Sequence, residues 1–81
     1  MINGKVEKAI NEQIKNELYS GYMYLAMAAE LEATDWPGMG HWMRKQAAEE
    51  LAHALKLYDY LNERGGRAEL HAIDKPPVEY G

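Results

Sequence analysis

The sequence contains no cysteine, which excludes disulfides and thiolate metal sites alike. That absence fits a reducing compartment, and the cytoplasm is the expected location. Phenylalanine is also missing, while six tyrosines, five methionines and two tryptophans are present. A core must therefore be assembled from leucine, isoleucine, alanine, methionine and tyrosine. No apolar stretch approaches the roughly 20 residues of a membrane span, and the N-terminus turns polar too soon for a signal peptide. No membrane partner is expected. Positive charge is scarce too: 9 Lys and Arg stand against 13 Asp and Glu, a net charge of −4. Without a basic stripe to release counterions, nucleic acid is not an expected partner. An acidic balance suits a protein that attracts cations. The 81 residues are read as a single domain, 1–81; one of this size is marginal on its own.

What is present is helical periodicity. Val6, Ile10, Ile14, Leu18, Gly21, Leu25 and Ala28 recur at intervals of three and four, which predicts one helix over about 4–33 with Asn3 as N-cap. The break at Ala33-Thr34-Asp35-Trp36-Pro37-Gly38 leads into a second helix over about 38–64. Pro37 suits its first turn, with Asp35 or Trp36 at the cap. Met39, Met43, Ala47, Glu50, Ala54, Leu57 and Leu61 form its stripe, and Gly65-Gly66 ends it. The tail, 66–81, contains Pro76-Pro77 and reads as extended. Its Leu70, Ile73 and Val78 are expected to lie along a neighbour.

The predicted fold is all-α: a short connection makes the helices an antiparallel hairpin. The middle of the first helix is apolar on several sides at Tyr19, Tyr22, Met23, Tyr24, Leu25 and Met27. A helix apolar on several faces is covered on several faces, and one hairpin partner cannot do that. The chain is thus expected to self-associate into a four-helix bundle.

The second helix carries Glu50-Leu51-Ala52-His53. Residues three apart share a helix side, so a carboxylate and an imidazole so placed can hold one metal ion; a surface ion pair is the competing reading. Glu17 lies beside the first helix's apolar stripe, and the short turn brings it opposite about Ala54, the level of Glu50 and His53. Carboxylates taken from water need a charge partner or a metal. Two carboxylates with one imidazole suit ferrous iron or manganese, with zinc possible. Bundles build di-iron sites from a Glu on each of two helices and a Glu-x-x-His on each of the other two, and this chain has one of each.

At Asn11 to Ser20, at Gln46-Ala47-Ala48-Glu49-Glu50-Leu51-Ala52-His53, at Leu57 to Gly66 and through Pro76-Pro77, the sequence resembles the first half of the prokaryotic non-haem ferritin subunit. The resemblance implies that Glu17, Glu50 and His53 match the ligands of the first ferroxidase iron, with Glu50 bridging two irons. Tyr24 matches the tyrosine beside that site, with core packing as its other reading. Glu49 matches an accessory iron ligand, or is simply solvated. The implied activity is oxidation of Fe(II) to Fe(III) by O2 or H2O2 at a di-iron site, for iron storage or detoxification. A homodimer or higher even-numbered oligomer would supply the second ligand set, with two histidines at its centre. Leu51 stands where bacterioferritins have the haem-ligand methionine, so no haem is expected. Two rival readings are a rubrerythrin-like scavenger of peroxide or oxygen without a mineral core, and a truncated ferritin fragment that only self-assembles. His41 and His71 are expected in solvent, and Trp36 and Trp42 at the turn or at an oligomer contact.

Overall fold

The computed structural model describes residues 2–34 and 36–79. It contains two helices, α1 (Gly4–Ala33) and α2 (Pro37–Glu63), packed against each other as a hairpin. Each helix end is made by local chemistry. The Asn3 side chain accepts a hydrogen bond from the Lys5 amide at 2.7 Å, satisfying one of the orphan donors of the first turn. Glu7 adds negative charge near the same end, where the helix dipole is positive. At the far end the Thr34 hydroxyl donates to the Leu31 carbonyl at 3.1 Å.

The second helix starts at Pro37, one residue earlier than its expected start, because the fixed φ of proline is already that of a first helical turn. Trp36 occupies the N-cap without a side-chain bond. Asp35, the other cap candidate, lies outside the described residues, as do Met1 and the last two tail positions, Tyr80 and Gly81. The helix closes at Glu63, again one residue early. Gly65 turns left-handed with φ 76°. Its amide reaches Asn62 O at 3.4 Å, and the Gly66 amide reaches Leu61 O at 2.9 Å. This pair of bonds satisfies the last carbonyls, and only glycine enters the conformation without strain.

Ile14, Ala54 and Leu61 form the buried core, with Ile2, Ile10, Leu18, Leu57 and Ala68 packed around them. Toward the turn the contact is made by small residues. A Cβ on buried Gly40 would sit 3.4 Å from Ala28 O and only 2.6 Å from the Glu32 side chain. Arg44 pairs with Glu32 at 2.7 Å across the same end. Three stripe residues are exposed in the single hairpin: Val6 by 45%, Leu25 by 49% and Met39 by 53%. The hairpin is 51 × 20 × 12 Å, so its thin dimension is about one helix diameter. A single layer covers only the narrow strip where the helices touch, and residues on the edges of a wider stripe stay in solvent. No described helix is long and apolar enough to cross a membrane.

Asn11 is buried, although its polarity kept it out of the predicted stripe. Its side-chain amide donates to Arg67 O at 3.0 Å and its carbonyl accepts from the Glu69 amide at 2.8 Å. Glu7 accepts from the Arg67 amide at 3.0 Å. Together they give the tail the backbone partners a neighbouring strand would give. The tail then runs along α1 in the same direction, and Lys75, Pro76, Pro77 and Val78 reach the groove beside Tyr22 and Ala29. Within the chain, the tail's partner is its own α1. Pro76 is buried and Ile73 half-buried, while Leu70 and Val78 are exposed.

Asn11→Ala leaves two tail backbone groups unpaired at a part-buried position. We expect a loss of about 1–3 kcal/mol, read as a lower thermal midpoint. Hydrogen exchange at the Glu69 amide should rise, while exchange in the middle of α1 changes little. Unaltered exchange at Glu69 would show that Asn11 does not hold the tail.

Candidate metal centre

At about 100° per residue, α1 places Glu17 and Tyr24 on one flank of its contact with α2, and Asn11, Tyr22 and Ala29 on the other. On α2, Glu50 and His53 share the first flank, and Leu51 and Arg44 the second. The hairpin thus has two chemically different sides. The second is an apolar groove of about 450 Å³, walled by Leu18, Tyr22, Leu25, Leu51 and the tail residue Ile73.

On the first flank, Glu17, Glu50 and His53 each offer one ligand atom, and these atoms lie within 4.8 Å of one another. His53 Nδ1 is 3.6 Å from Glu17 Oε2 and 3.9 Å from Glu50 Oε2. Both distances are longer than a hydrogen bond and short enough for one ion between the groups. The side chains of Glu17 and Glu50 retain 19% and 22% of their exposure, and that of His53 54%. The carboxylates are drawn into the protein while the imidazole faces outward.

The two carboxyls share a hydrogen bond and divide their titration accordingly. Glu50 is pushed above the ordinary glutamate range, first by that bond to Glu17, then by burial and by the charge of Glu17, with His53 opposing. Glu17 is held below that range because it accepts the bond from Glu50, against the cost of burial. Gln13 donates to Glu17 Oε1 at 3.0 Å and, with His53, favours the ionised form further. Two carboxylates this close resist losing both protons. A divalent cation removes that conflict by replacing the proton, and two hard oxygens with one imidazole suit iron, manganese or zinc.

The hairpin therefore brings together three of the five residues singled out from the sequence. Glu49 is exposed and stands outside the triad, reaching it only as a like charge that raises Glu50. Tyr24 is half-buried on the same flank, two helical turns or roughly 10 Å further along α1. His41 and His71 are exposed, as are Trp36 and Trp42. Gln13 was not singled out from the sequence. Its spacing of four from Glu17 is the pattern that could have shown it.

With this geometry established, comparisons with known proteins give a consistent result. The ferritin-like domain family matches residues 7–81. A bacterial non-haem ferritin of Bacteroides fragilis is 43% identical over the whole of this chain and 51% of its own length. One from Staphylococcus saprophyticus is 39% identical over 99% of this chain and 48% of its own length. Among solved structures, an engineered closed form of the Archaeoglobus fulgidus ferritin superposes with a TM-score of 0.95 at 45% identity, covering 99% of this chain and 49% of that one. The open-pore ferritin of the same archaeon gives 0.94 at 45% identity, with the same coverage. The chain spans about half the length of the curated relatives it matches. With the family match, these identities and a superposed hairpin, the chain belongs to the ferritin family and corresponds to the first half of the prokaryotic non-haem ferritin subunit.

Proposed function

We propose that the chain binds Fe(II) at Glu17, Glu50 and His53 and promotes its oxidation, in a bundle where a second copy supplies the second ligand set. The convergence of two carboxylates and an imidazole on one flank carries this reading. A di-iron bundle site takes four glutamates and two histidines from four helices, and one hairpin holds half of that set. Large apolar side chains left exposed on the hairpin, among them Leu55, Tyr58 and Tyr60, favour a partner helix pair.

Iron here is a substrate. Each Fe(II) gives up one electron; two of them reduce O2, which takes two protons and leaves as hydrogen peroxide, or reduce H2O2, which takes two protons and becomes water. By resemblance to the family, Glu50 takes the bridging role, and Glu17 and His53 cap each ion. The protein's own contribution is charge. Two ionised carboxylates per chain stabilise the ferric product more than the ferrous reactant, because attraction grows with the charge of the ion. Glu49 is proposed as an accessory ligand on the exposed side, and Tyr24 as the aromatic residue nearest along the flank.

The test of the assignment is anaerobic titration of the metal-free 81-residue chain with Fe(II), with the native mass recorded in the same sample, followed by oxygen. About one iron per chain in an even-numbered oligomer, then a rapid rise in ferric absorbance, is expected. Glu50→Ala should lower the oxidation rate to that of free Fe(II) in the same buffer, with helix content unchanged. Undiminished oxidation in that variant would sink the assignment. Many irons retained per chain after oxidation indicates storage, whereas rapid peroxide consumption without accumulation indicates the scavenger reading.

A pH dependence follows from the shared proton. Glu50 keeps its proton to a higher pH than an ordinary glutamate, so metal and proton compete there. Affinity for Fe(II) should fall as pH drops through the raised Glu50 range, and binding within that range should release up to one proton per ion. Glu50→Gln should abolish that release. An affinity flat from neutrality down to the ordinary carboxylate range would show that metal does not displace the Glu17–Glu50 proton.

A further inference from the structure

We infer that Gly21 is a positioning residue for the Glu17–Glu50–His53 site, setting the helix separation that the metal geometry needs; the inference rests on the metal-binding reading above. Gly21 lies one turn beyond Glu17 on α1, about 6 Å along the axis. It faces α2 at the residues that carry the site. A Cβ built on Gly21 would stand 3.3 Å from Ala47 O, 3.4 Å from Glu50 Cβ and 3.9 Å from the Leu51 amide nitrogen. The nearest of these is backbone, which cannot rotate away. The next is the stem of a ligand side chain. A methyl group here therefore moves α1 against α2 by a few tenths of an ångström, and the movement falls between Glu17 and Glu50.

That shift is small for packing and large for coordination. Metal–ligand distances are held within about 0.2 Å of their ideal values, and a functional constellation tolerates roughly 0.5 Å. The glycine has no role in helix formation that explains its presence, since alanine is the better residue in a helix interior. Neither is Gly21 needed for a turn, because positive φ among the described glycines is confined to Gly65. What remains is the close approach. Two glycines near the start of α2 offer comparisons. Gly38 has open space around its would-be Cβ, and Gly40 makes a close approach of its own near the turn, against Ala28 O and the Glu32 side chain, away from the triad.

The experiment is a titration of the metal-free chain with Co(II), followed by its visible absorption, which reports coordination as well as occupancy. Gly21→Ala is expected to bind Co(II) roughly tenfold more weakly than the parent and to change the band shape, with helix content kept. Gly38→Ala and Gly40→Ala should bind as the parent does, even where Gly40→Ala lowers the thermal midpoint. Gly21→Ser carries the same Cβ and can bond back to the Glu17 carbonyl, so it repeats the test if Gly21→Ala folds poorly. Parent-like affinity and spectrum in a folded Gly21 variant would overturn the inference and leave the site reading intact. Equal weakening by Gly40→Ala, or loss of helix in both Gly21 variants, would also overturn it, since Gly21 would then be a general packing residue. Failure of the parent chain to bind Co(II) would overturn the site reading and this inference with it.

Discussion

Everything in this hairpin depends on the register of α1 against α2. A turn of three residues, closed by Pro37 at the head of α2, leaves the second helix little freedom to slide. Small residues then hold the backbones close at two levels, Ala28 with Gly40 and Gly21 with Ala47. Large ones, Ile14 and Leu61, fill the open end. A slip of one residue would rotate every side chain on α2 by about 100° and carry Glu50 and His53 away from Glu17. The meeting of Glu17, Glu50 and His53 is therefore a consequence of the packing of the two helices.

The same register places two carboxyls against each other, which costs free energy unless a proton or a cation stands between them. The protein meets that cost only in part. Gln13 and His53 favour an ionised Glu17, and Glu50 keeps its proton longer. An arrangement that served stability alone would replace one carboxyl with an apolar residue. Keeping both is intelligible under the proposed binding of a divalent cation, for which the outward-facing imidazole could supply a third ligand. The other flank answers a different need. There Leu18, Tyr22, Leu25 and Leu51 leave an apolar groove, and Asn11 fixes the tail along its edge by hydrogen bonds to backbone.

Much of this was legible in the residues. The 3.6-residue period identified both helices, because apolar spacing reports which side is withdrawn from water. Asn3, Pro37 and Gly65 marked their ends, because each solves a specific problem of orphan backbone groups or backbone angle. The Glu50-x-x-His53 spacing and the short turn sufficed to bring Glu17 to the same level. The stripe is wider than the strip one hairpin partner covers. Val6, Leu25 and Met39 are apolar and correctly spaced, yet spacing cannot say how much of a face one partner covers.

The sequence by itself determined the helices, their antiparallel pairing and the level at which Glu17, Glu50 and His53 meet, since all of these follow from local periodicity and a short connection. Only the tertiary structure decided which polar groups are withdrawn from water. Asn11 is buried because a segment some 56 residues away returns to it; Gln13 matters because Glu17 turns toward it. Gly21 makes a close approach because a carbonyl of the other helix stands 3.3 Å from where its Cβ would be. Contacts between residues distant in sequence leave no period in the chain, and so they become visible only when the backbone is folded.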